Sequence, residues 1–345
     1  MRLMLVNPRG FCAGVRMAID VVDQVLDICP DEPLYVYHEI VHNKHVVQRF
    51  VERGVTFVDH IDEVPEHATV VFSAHGVSPV IRQQARDRHL TAIDATCPLV
   101  TKVHMEAIRY ASQGFQILLI GHTNHQEVVG TRGEAPDAVQ VVESPDDIPH
   151  LTINDPEKLV YLTQTTLSTD DADVIIRALK QAFPSIKSPP KDDICYATTN
   201  RQHAVRQLAP QCDRVLVVGS RNSSNSVRLT EIARHVGTDA RLIDDASDID
   251  STWFTGDETV LITAGASAPE DLVAQVCKHL LDTYSGTIEI ADIAQEDVEF
   301  NIPSTLKTIM RDRGIDPETR RIRVHAPEIT ESLYGTTPVT INQSN

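Results

Sequence analysis

The chain has 345 residues, of which 41% are apolar and 23% charged, a composition typical of a globular protein that excludes a disordered or fibrous one. Acidic residues outnumber basic ones, 49 to 31, and the net charge of −18 excludes a broad surface for nucleic acid or an anionic membrane. The N-terminal apolar run is too short for a signal peptide, and no run reaches the roughly 18 apolar residues of a membrane span. We therefore expect a cytoplasmic protein whose six cysteines stay reduced.

Short β-branched runs alternate with amphipathic stretches along the chain, which predicts an α/β fold built from parallel sheets. The predicted strands lie at residues 34–36, 69–72, 116–120, 159–162, 214–218 and 259–262. The predicted helices lie at residues 15–27, 102–112, 170–182, 200–209, 226–235 and 271–281. Because ligand groups gather where parallel strands end, the polar residues that follow these strands are the candidate site.

Three of the cysteines, Cys12, Cys97 and Cys195, lie just before predicted helices and are 85 and 98 residues apart. These intervals match the length of a small α/β unit, so three units could each present one cysteine to a shared centre. A helix N-terminus stabilises a thiolate, and three thiolates can hold an iron–sulfur cluster with one iron left open. The simpler alternative for each cysteine is a small buried apolar side chain.

Three histidines, His42, His75 and His125, lie in loops that follow predicted strands. A single histidine in such a loop is usually a surface or capping residue, but three of them favour a donor-rich pocket for an anion. Further candidates are hydroxyls and an amide in turns that either cap a helix or bind phosphate, namely Ser223, Ser224, Asn225 and Ser267.

Glu127 lies two residues after His125 and is the candidate general acid. A carboxylic acid near a cluster and a histidine can be held protonated and can donate its proton to a leaving hydroxyl. Its simpler interpretation is an acidic residue in the first turn of a helix. Gln164 and Thr165 follow another predicted strand and either cap the next helix or position a substrate hydroxyl.

The motifs at these positions resemble those of the 4-hydroxy-3-methylbut-2-enyl diphosphate reductases, the family of the last enzyme of the non-mevalonate isoprenoid pathway. The match runs in unbroken order over about residues 1–300 and includes segments 7–14, 38–43, 72–76, 94–102, 121–127, 164–168, 192–202, 219–226 and 263–269. The resemblance implies a trefoil of three small α/β domains with parallel sheets around a central [4Fe-4S] cluster. It implies a reaction that removes the allylic hydroxyl with two electrons and yields isopentenyl and dimethylallyl diphosphates.

The resemblance also implies a role for each candidate residue. The cluster ligands would be Cys12, Cys97 and Cys195. The diphosphate would be held by His42, His75, His125, Ser223, Ser224, Asn225 and Ser267. Glu127 would be the proton donor, with Thr165 facing the substrate hydroxyl and Gln164 in support. The electrons would come from a small redox protein, a ferredoxin or a flavodoxin.

We expect a first domain at residues 14–96, a second at 97–191, and a third at 192–283 together with 1–13. Residues 284–345 form a C-terminal segment and tail, which from about residue 302 shows little apolar periodicity and is expected to be partly disordered.

The residues alone leave two other functions open. One is a mononuclear zinc or iron hydrolase with Cys and His ligands and Glu127 as its base. The other is a protein that only binds a phosphorylated metabolite. Because the chain is strongly acidic, we expect any anionic ligand to enter an enclosed pocket rather than dock on an open face.

Overall fold

The computed structural model describes residues 1–319, 322–323, 334 and 339–341. These residues form three separate parallel sheets and one short antiparallel pair of strands. Each parallel sheet separates two apolar core clusters, so each is covered on both faces. The predicted α/β class with parallel sheets is confirmed.

The chain begins with strand β1 (Arg2–Asn7), which belongs to the third sheet, and continues into helix α1 (Ala13–Ile28). The first unit then adds β2 (Leu34–Tyr37), α2 (Lys44–Glu52), β3 (Thr56–Val58), β4 (Thr69–Phe72), α3 (Pro79–Asp87) and β5 (Thr91–Asp94). Its sheet has the order β3-β2-β4-β5. The buried residues of α1 recur every three or four positions, so one side of this helix packs on the sheet.

The second unit is built around a sheet of three parallel strands. Its elements are α4 (Pro98–Ser112), β6 (Gln116–Ile120), α5 (Gln126–Glu134), β7 (Val139–Val142), β8 (Leu159–Thr163) and α6 (Thr169–Ala182). The strand order is β7-β6-β8. Every residue of β8 is buried, as expected for a parallel strand with helices or loops on both faces.

The third unit contains α7 (Tyr196–Leu208), β9 (Arg214–Val218), α8 (Ser224–His235), β10 (Asp239–Ile243), β11 (Thr259–Ala264), α9 (Glu270–Tyr284) and β12 (Thr287–Asp292). The C-terminal segment adds β13 (Glu299–Phe300), α10 (Ser304–Asp312), β14 (Ile322–Arg323) and β15 (Val339–Ile341). The third sheet has the order β10-β9-β11-β1-β12-β15, and β13 pairs with β14. The N-terminal strand therefore lies inside the third sheet, between β11 and β12.

Helix α10 corrects one expectation about the C-terminal segment. Leu306 and Met310 lie one helical turn apart, and both are fully buried in the core of the first unit. The predicted lack of apolar periodicity after residue 302 is therefore wrong for this helix, because a single turn of apolar residues suffices to dock it. The expectation of partial disorder at residues 320–321, 324–333, 335–338 and 342–345 lies outside the described residues.

The six predicted strands and six predicted helices are all present. The observed helices begin one to four residues earlier than predicted, because their first turns carry cap residues and no apolar pattern. Across the described residues, no helix is both long and apolar enough to span a membrane. Since all strands within each of the three sheets are parallel, the loops at their carboxyl ends gather at one edge of each sheet.

Candidate active site

Loops from the carboxyl ends of all three sheets line one cavity of about 90 Å³. One water needs ~10–15 Å³ by the same measure, so the cavity has room for a ligand of several heavy atoms. Its wall includes every predicted site residue except Gln164, that is Cys12, His42, His75, Cys97, His125, Glu127, Thr165, Cys195, Ser223, Ser224, Asn225 and Ser267. The structure thus brings together side chains that are up to 255 positions apart in the sequence.

The three cysteines of the wall occupy equivalent positions. Cys12, Cys97 and Cys195 are the N-cap residues of α1, α4 and α7, which confirms the predicted loop-to-helix junctions. Helix α1 also approaches Cys97 closely, since a Cβ atom at Gly14 would collide with Cys97 Sγ. The remaining cysteines are not part of the wall and pack elsewhere, namely Cys29, Cys212 and Cys277.

Burial determines the acidity of these three free thiols. It raises the pKa of Cys12 and Cys97, and it raises that of Cys195 to about 11. Backbone N–H groups in the first helical turns lower these pKa values, but by less than desolvation raises them. The helix N-termini thus stabilise the thiolates, as expected, but burial outweighs this effect in the free side chains. A bound metal deprotonates a coordinating thiol regardless of this barrier.

The three histidines form a compact cluster of rings. The His42 and His75 rings stack with centroids 4.0 Å apart, at an angle of 23°. His125 meets His42 and His75 edge-on, with centroids 5.5 and 5.9 Å away. Loops after β2 and β4 and the start of α5 supply these rings, so the cluster joins the first and second units.

Two of these rings are neutral near pH 7. Burial lowers the pKa of His75 well below its usual range, and the neighbouring His42 and His125 lower it further. Burial also lowers the pKa of His125 to about 4, with a smaller effect from His42. The Glu127 backbone N–H donates to His125 Nδ1 over 3.2 Å, so the neutral His125 ring carries its proton on Nε2. These rings therefore offer neutral N–H donors.

The hydroxyl and amide side chains lie at the start of α8 and in the loop after β11. Ser223 is the N-cap of α8, and its Oγ accepts from the Ser226 backbone N–H over 3.4 Å. Ser267 Oγ donates to the His42 carbonyl over 2.8 Å, and Asn225 Oδ1 accepts a backbone N–H from the loop after β11 over 3.0 Å. Ser223 is thus both a helix cap and part of the cavity wall. The free N–H groups of α8 also begin at this wall, where an anion is stabilised.

Glu127 is buried in the first turn of α5, and both of its carboxylate oxygens have a partner. Oε1 accepts from the Thr165 backbone N–H over 2.6 Å, and Oε2 accepts from Thr165 Oγ1 over 3.0 Å. Burial raises the pKa of Glu127 to about 7, although the two hydrogen bonds lower it. A substantial fraction of this side chain is therefore protonated at neutral pH, as a general acid requires.

Gln164 lies behind the cavity wall and not in it. Its Nε2 donates to Thr166 Oγ1 over 2.9 Å, and its Oε1 accepts from the His122 backbone N–H over 3.1 Å. These contacts connect the loop after β8 with the loop after β6. Gln164 thereby supports the two loops that carry Thr165 and Glu127.

Sequence reasoning missed three polar side chains that hold this site. Thr198 Oγ1 lies 3.1 Å from Cys195 Sγ. Thr198 is three residues after the N-cap Cys195, a spacing at which side chains commonly contact the cap, so the sequence contained a signal for it. Glu39 accepts a hydrogen bond from His42 Nδ1 over 3.0 Å. Arg201 is 1% exposed and donates to the backbone carbonyls of Gly10 and Ala197, which lie two residues from Cys12 and Cys195 respectively.

The LytB protein family matches residues 3–281 of the chain. The 4-hydroxy-3-methylbut-2-enyl diphosphate reductase of Rhodopirellula baltica is 52% identical over 314 residues, which are 91% of this chain and 98% of that protein. The enzyme of the same name from Streptomyces avermitilis is 51% identical over 338 residues, which are 98% of this chain and 96% of that protein. The sequence similarity therefore extends over nearly the full length of both relatives.

Solved structures show the same similarity in three dimensions. A Plasmodium falciparum structure described as E-1-hydroxy-2-methyl-but-2-enyl-4-diphosphate reductase has a TM-score of 0.87 and 38% identity, covering 90% of this chain and 98% of its own. A structure described as (E)-4-hydroxy-3-methyl-but-2-enyl diphosphate reductase, the terminal enzyme of the non-mevalonate pathway, has a TM-score of 0.60 and 30% identity. It covers 81% of this chain and 99% of its own.

Proposed function

Because the chain belongs to the LytB protein family, we propose that it catalyses the reductive dehydroxylation of (E)-4-hydroxy-3-methylbut-2-enyl diphosphate to isopentenyl and dimethylallyl diphosphates. The observation that carries this proposal is the composition of one cavity, in which three cysteines, three histidines and a buried glutamate line the same wall. The reaction takes up two electrons and two protons, one for the leaving hydroxyl and one for the allylic carbon. These side chains offer thiol ligands for an electron-carrying cluster, donors for an anion and an acid for the leaving hydroxyl.

We propose that Cys12, Cys97 and Cys195 hold a [4Fe-4S] cluster. The donor set fits this group, because thiolates hold such clusters and three of them leave one iron without a protein ligand. In the part of the chain that the structure describes, no three Cys, His, Asp or Glu side chains are grouped closely enough for a single metal ion. When bound, the cluster supplies electrons and a Lewis-acidic iron for the leaving oxygen.

In this proposal, the diphosphate of the substrate binds the histidine, serine and asparagine side chains of the same wall. The groups that would contact it are His42, His75, His125, Ser223, Ser224, Asn225 and Ser267. They are mainly N–H and O–H donors, and the start of α8 adds free backbone N–H groups. An acidic protein can bind a multiply charged anion in this way, because the donors are concentrated in a cavity and not spread over its surface.

Glu127 donates the proton that turns the leaving hydroxyl into water. Its pKa of about 7 keeps much of it protonated at neutral pH. Thr165 fixes both carboxyl oxygens and faces the substrate hydroxyl, so the proton is held at a defined place. Gln164 supports this arrangement through the loops that it connects.

We also propose the surroundings in which this reaction takes place. The reaction consumes two electrons that the substrate does not supply, so a small redox protein such as a ferredoxin or a flavodoxin delivers them. The three cysteines have to stay reduced to bind a cluster, which favours the cytoplasm. We propose domains at residues 14–96, at 97–191, and at 192–283 with 1–13, followed by a C-terminal segment whose first strand, β12, joins the sheet of the third unit.

Iron and acid-labile sulfide analysis of anaerobically purified protein tests the function and its two alternatives together. We expect about four of each per chain, as a four-iron cluster requires. Zinc without sulfide would favour the mononuclear hydrolase, and neither metal nor sulfide would favour the phosphometabolite-binding protein.

Replacement of one proposed ligand, Cys97→Ser, tests the ligand assignment. We expect the brown colour and the cluster absorbance to be lost, because two thiolates do not retain a four-iron cluster as three do. The matched control is Cys212→Ser, whose thiol is outside the cavity wall, and it keeps its cluster. An intact cluster spectrum in Cys97→Ser would contradict the assignment.

A further inference from the structure

Glu39 lies beside the cavity, where its carboxylate contacts groups from two of the three units. Its Oε2 accepts from His42 Nδ1 over 3.0 Å and from Asn222 Nδ2 over 2.7 Å. A carboxylate has no proton to donate, so the proton of this hydrogen bond is on His42 Nδ1. Asn222 directly precedes Ser223, the N-cap of α8. One carboxylate therefore connects a histidine of the first unit with the anion-binding turn of the third.

His42 is fixed on its other sides as well. Ser267 Oγ donates to its carbonyl over 2.8 Å, and its ring stacks on His75 at 4.0 Å. The His125 ring also packs edge-on against the His42 ring. With Nδ1 taken by Glu39, Nε2 is the ring nitrogen that remains for a ligand in the cavity.

The three histidines differ in whether a negative charge accompanies them. His75 Nδ1 lies 3.3 Å from Ser73 Oγ, and His125 Nδ1 accepts from a backbone N–H, so both have neutral partners. His42 is the member of the three that has a carboxylate partner in the described part of the chain. The next two basic side chains, Lys44 and His45 at the start of α2, contact Asp244 and Asp245 instead. Glu39 and the two other histidines are thus the titratable groups that the described part of the chain shows in contact with the His42 ring.

We propose that Glu39 is a positioning residue that lets His42 bind the diphosphate as a doubly protonated imidazolium. Glu39 holds the Nδ1 proton, Nε2 takes up one proton from solvent as the diphosphate enters, and Nε2–H then donates to a phosphate oxygen. No covalent bond forms, and the proton balance is one proton taken up for each diphosphate bound. His75 and His125 remain neutral donors. This inference rests on the proposed function, because it requires that the cavity binds a diphosphate.

The test is calorimetric titration of the anaerobic holoprotein with isopentenyl diphosphate at pH 7.5, in two buffers that differ in ionisation enthalpy. The wild-type protein should take up about one proton per ligand bound, as the proposed protonation of His42 Nε2 requires. Glu39→Gln keeps the size of the side chain and removes its charge. We expect this variant to bind about tenfold more weakly and to lose most of the proton uptake.

Two further variants separate charge from shape. Glu39→Asp keeps a carboxylate and should restore proton uptake, even where affinity stays reduced. Asp59→Asn removes the carboxylate that lies 3.2 Å from His38 Nδ1 in the same unit, outside the cavity wall, and should match the wild type. The wild type alone gives a second measurement, because proton uptake requires that affinity falls as the pH rises from 7 to 9.

The outcomes distinguish this inference from the function on which it rests. If the wild-type holoprotein does not bind isopentenyl diphosphate, both are overturned. If it binds but Glu39→Gln takes up as many protons as the wild type, the role of Glu39 is overturned and the function stands. Loss of uptake in Asp59→Asn, or an affinity that does not change with pH, would also overturn the role of Glu39.

Discussion

Glu127 shows how two opposing effects set the acidity of one side chain. Burial disfavours its negative charge, whereas the N–H and O–H of Thr165 stabilise that charge, and the resulting pKa is about 7. If the protonated form is the donor, turnover falls as the pH rises through about 7, because the acid is lost above its pKa. The sign would be opposite for a general base, as the alternative hydrolase requires.

We expect Glu127→Gln to retain the cluster and substrate binding and to lose turnover by roughly 10²–10⁴-fold, the usual contribution of a general acid. Steady-state kinetics with a chemical reductant measures this loss, and the absorbance spectrum reports the cluster. The remaining activity should no longer decline near pH 7. Glu143→Gln, at an exposed carboxyl after the neighbouring strand β7, is the control and should keep full turnover. Wild-type turnover in Glu127→Gln would remove this residue from the mechanism.

The site residues that could be predicted share a local signal, and those that were missed lack one. Cys12, His75 and Glu127 each follow a strand or begin a helix, which the sequence reveals through its apolar pattern. Arg201 looks like any arginine on a helix, but its partners are the carbonyl of Gly10 and the carboxylate of Glu296, which lie 191 and 95 positions away. Only the packing of the third unit brings them together.

Among the helices, α5 shows why a functional element escaped prediction. It carries Glu127 near its start, but it also contains Gly130 and Gly133, which lower helix propensity and break the apolar pattern. The structure explains Gly133, because a Cβ atom there would collide with the Cβ of Ser78 at the start of α3. Close packing between two units thus requires a glycine at position 133, and this glycine weakens the helical pattern from which α5 could have been predicted.

Helix α7 and the loop before α1 are joined by one buried guanidinium, that of Arg201. It donates to the carbonyl of Gly10 over 2.8 Å and to that of Ala197 over 2.9 Å, two residues from Cys12 and Cys195 respectively. Its charge is balanced by Glu296, whose Oε1 is 2.9 Å away and whose side chain is 6% exposed. Arg201 therefore holds two of the proposed cluster ligands at a fixed separation.

We expect Arg201→Met to lower the free energy of unfolding by about 3–5 kcal/mol, because it leaves the buried carboxylate of Glu296 without its cationic partner and, among the described residues, with only the amide of Asn200 as a donor. Urea unfolding measures this change, and the rate of iron loss to a chelator, which should increase, reports the cluster ligands. Arg206→Met is the matched control on the same helix. Its partner Asp170 is 65% exposed, so this change should cost no more than about 1 kcal/mol. Equal stability of both variants would contradict the role of Arg201.

The three sheets together explain how an acidic chain can bind an anion. Each sheet directs its carboxyl edge to the same cavity, so the N–H and O–H donors of three units converge there, while the net charge of −18 belongs to the protein as a whole. The C-terminal segment ties two of these units together. From β12 in the third sheet it crosses to the first unit through α10, and it returns at Tyr334, whose hydroxyl donates to Glu270.

If this segment is part of the fold and not an appendage, a substitution in α10 destabilises the protein as a core substitution does. Met310 is fully buried against residues of α1 and the first sheet, so we expect Met310→Ala to lower the free energy of unfolding by about 2–5 kcal/mol. The control is Lys307→Ala on the same helix, where the side chain forms a surface ion pair with Glu318. This substitution should change the free energy of unfolding by less than about 0.5 kcal/mol. Urea unfolding compares the two, and a Met310→Ala variant as stable as Lys307→Ala would mean that α10 only rests on the surface. A large effect of Met310→Ala would instead show that residues after 302 complete the core of the first unit. The stability of this unit would then depend on two segments that are almost 300 residues apart, α1 and α10.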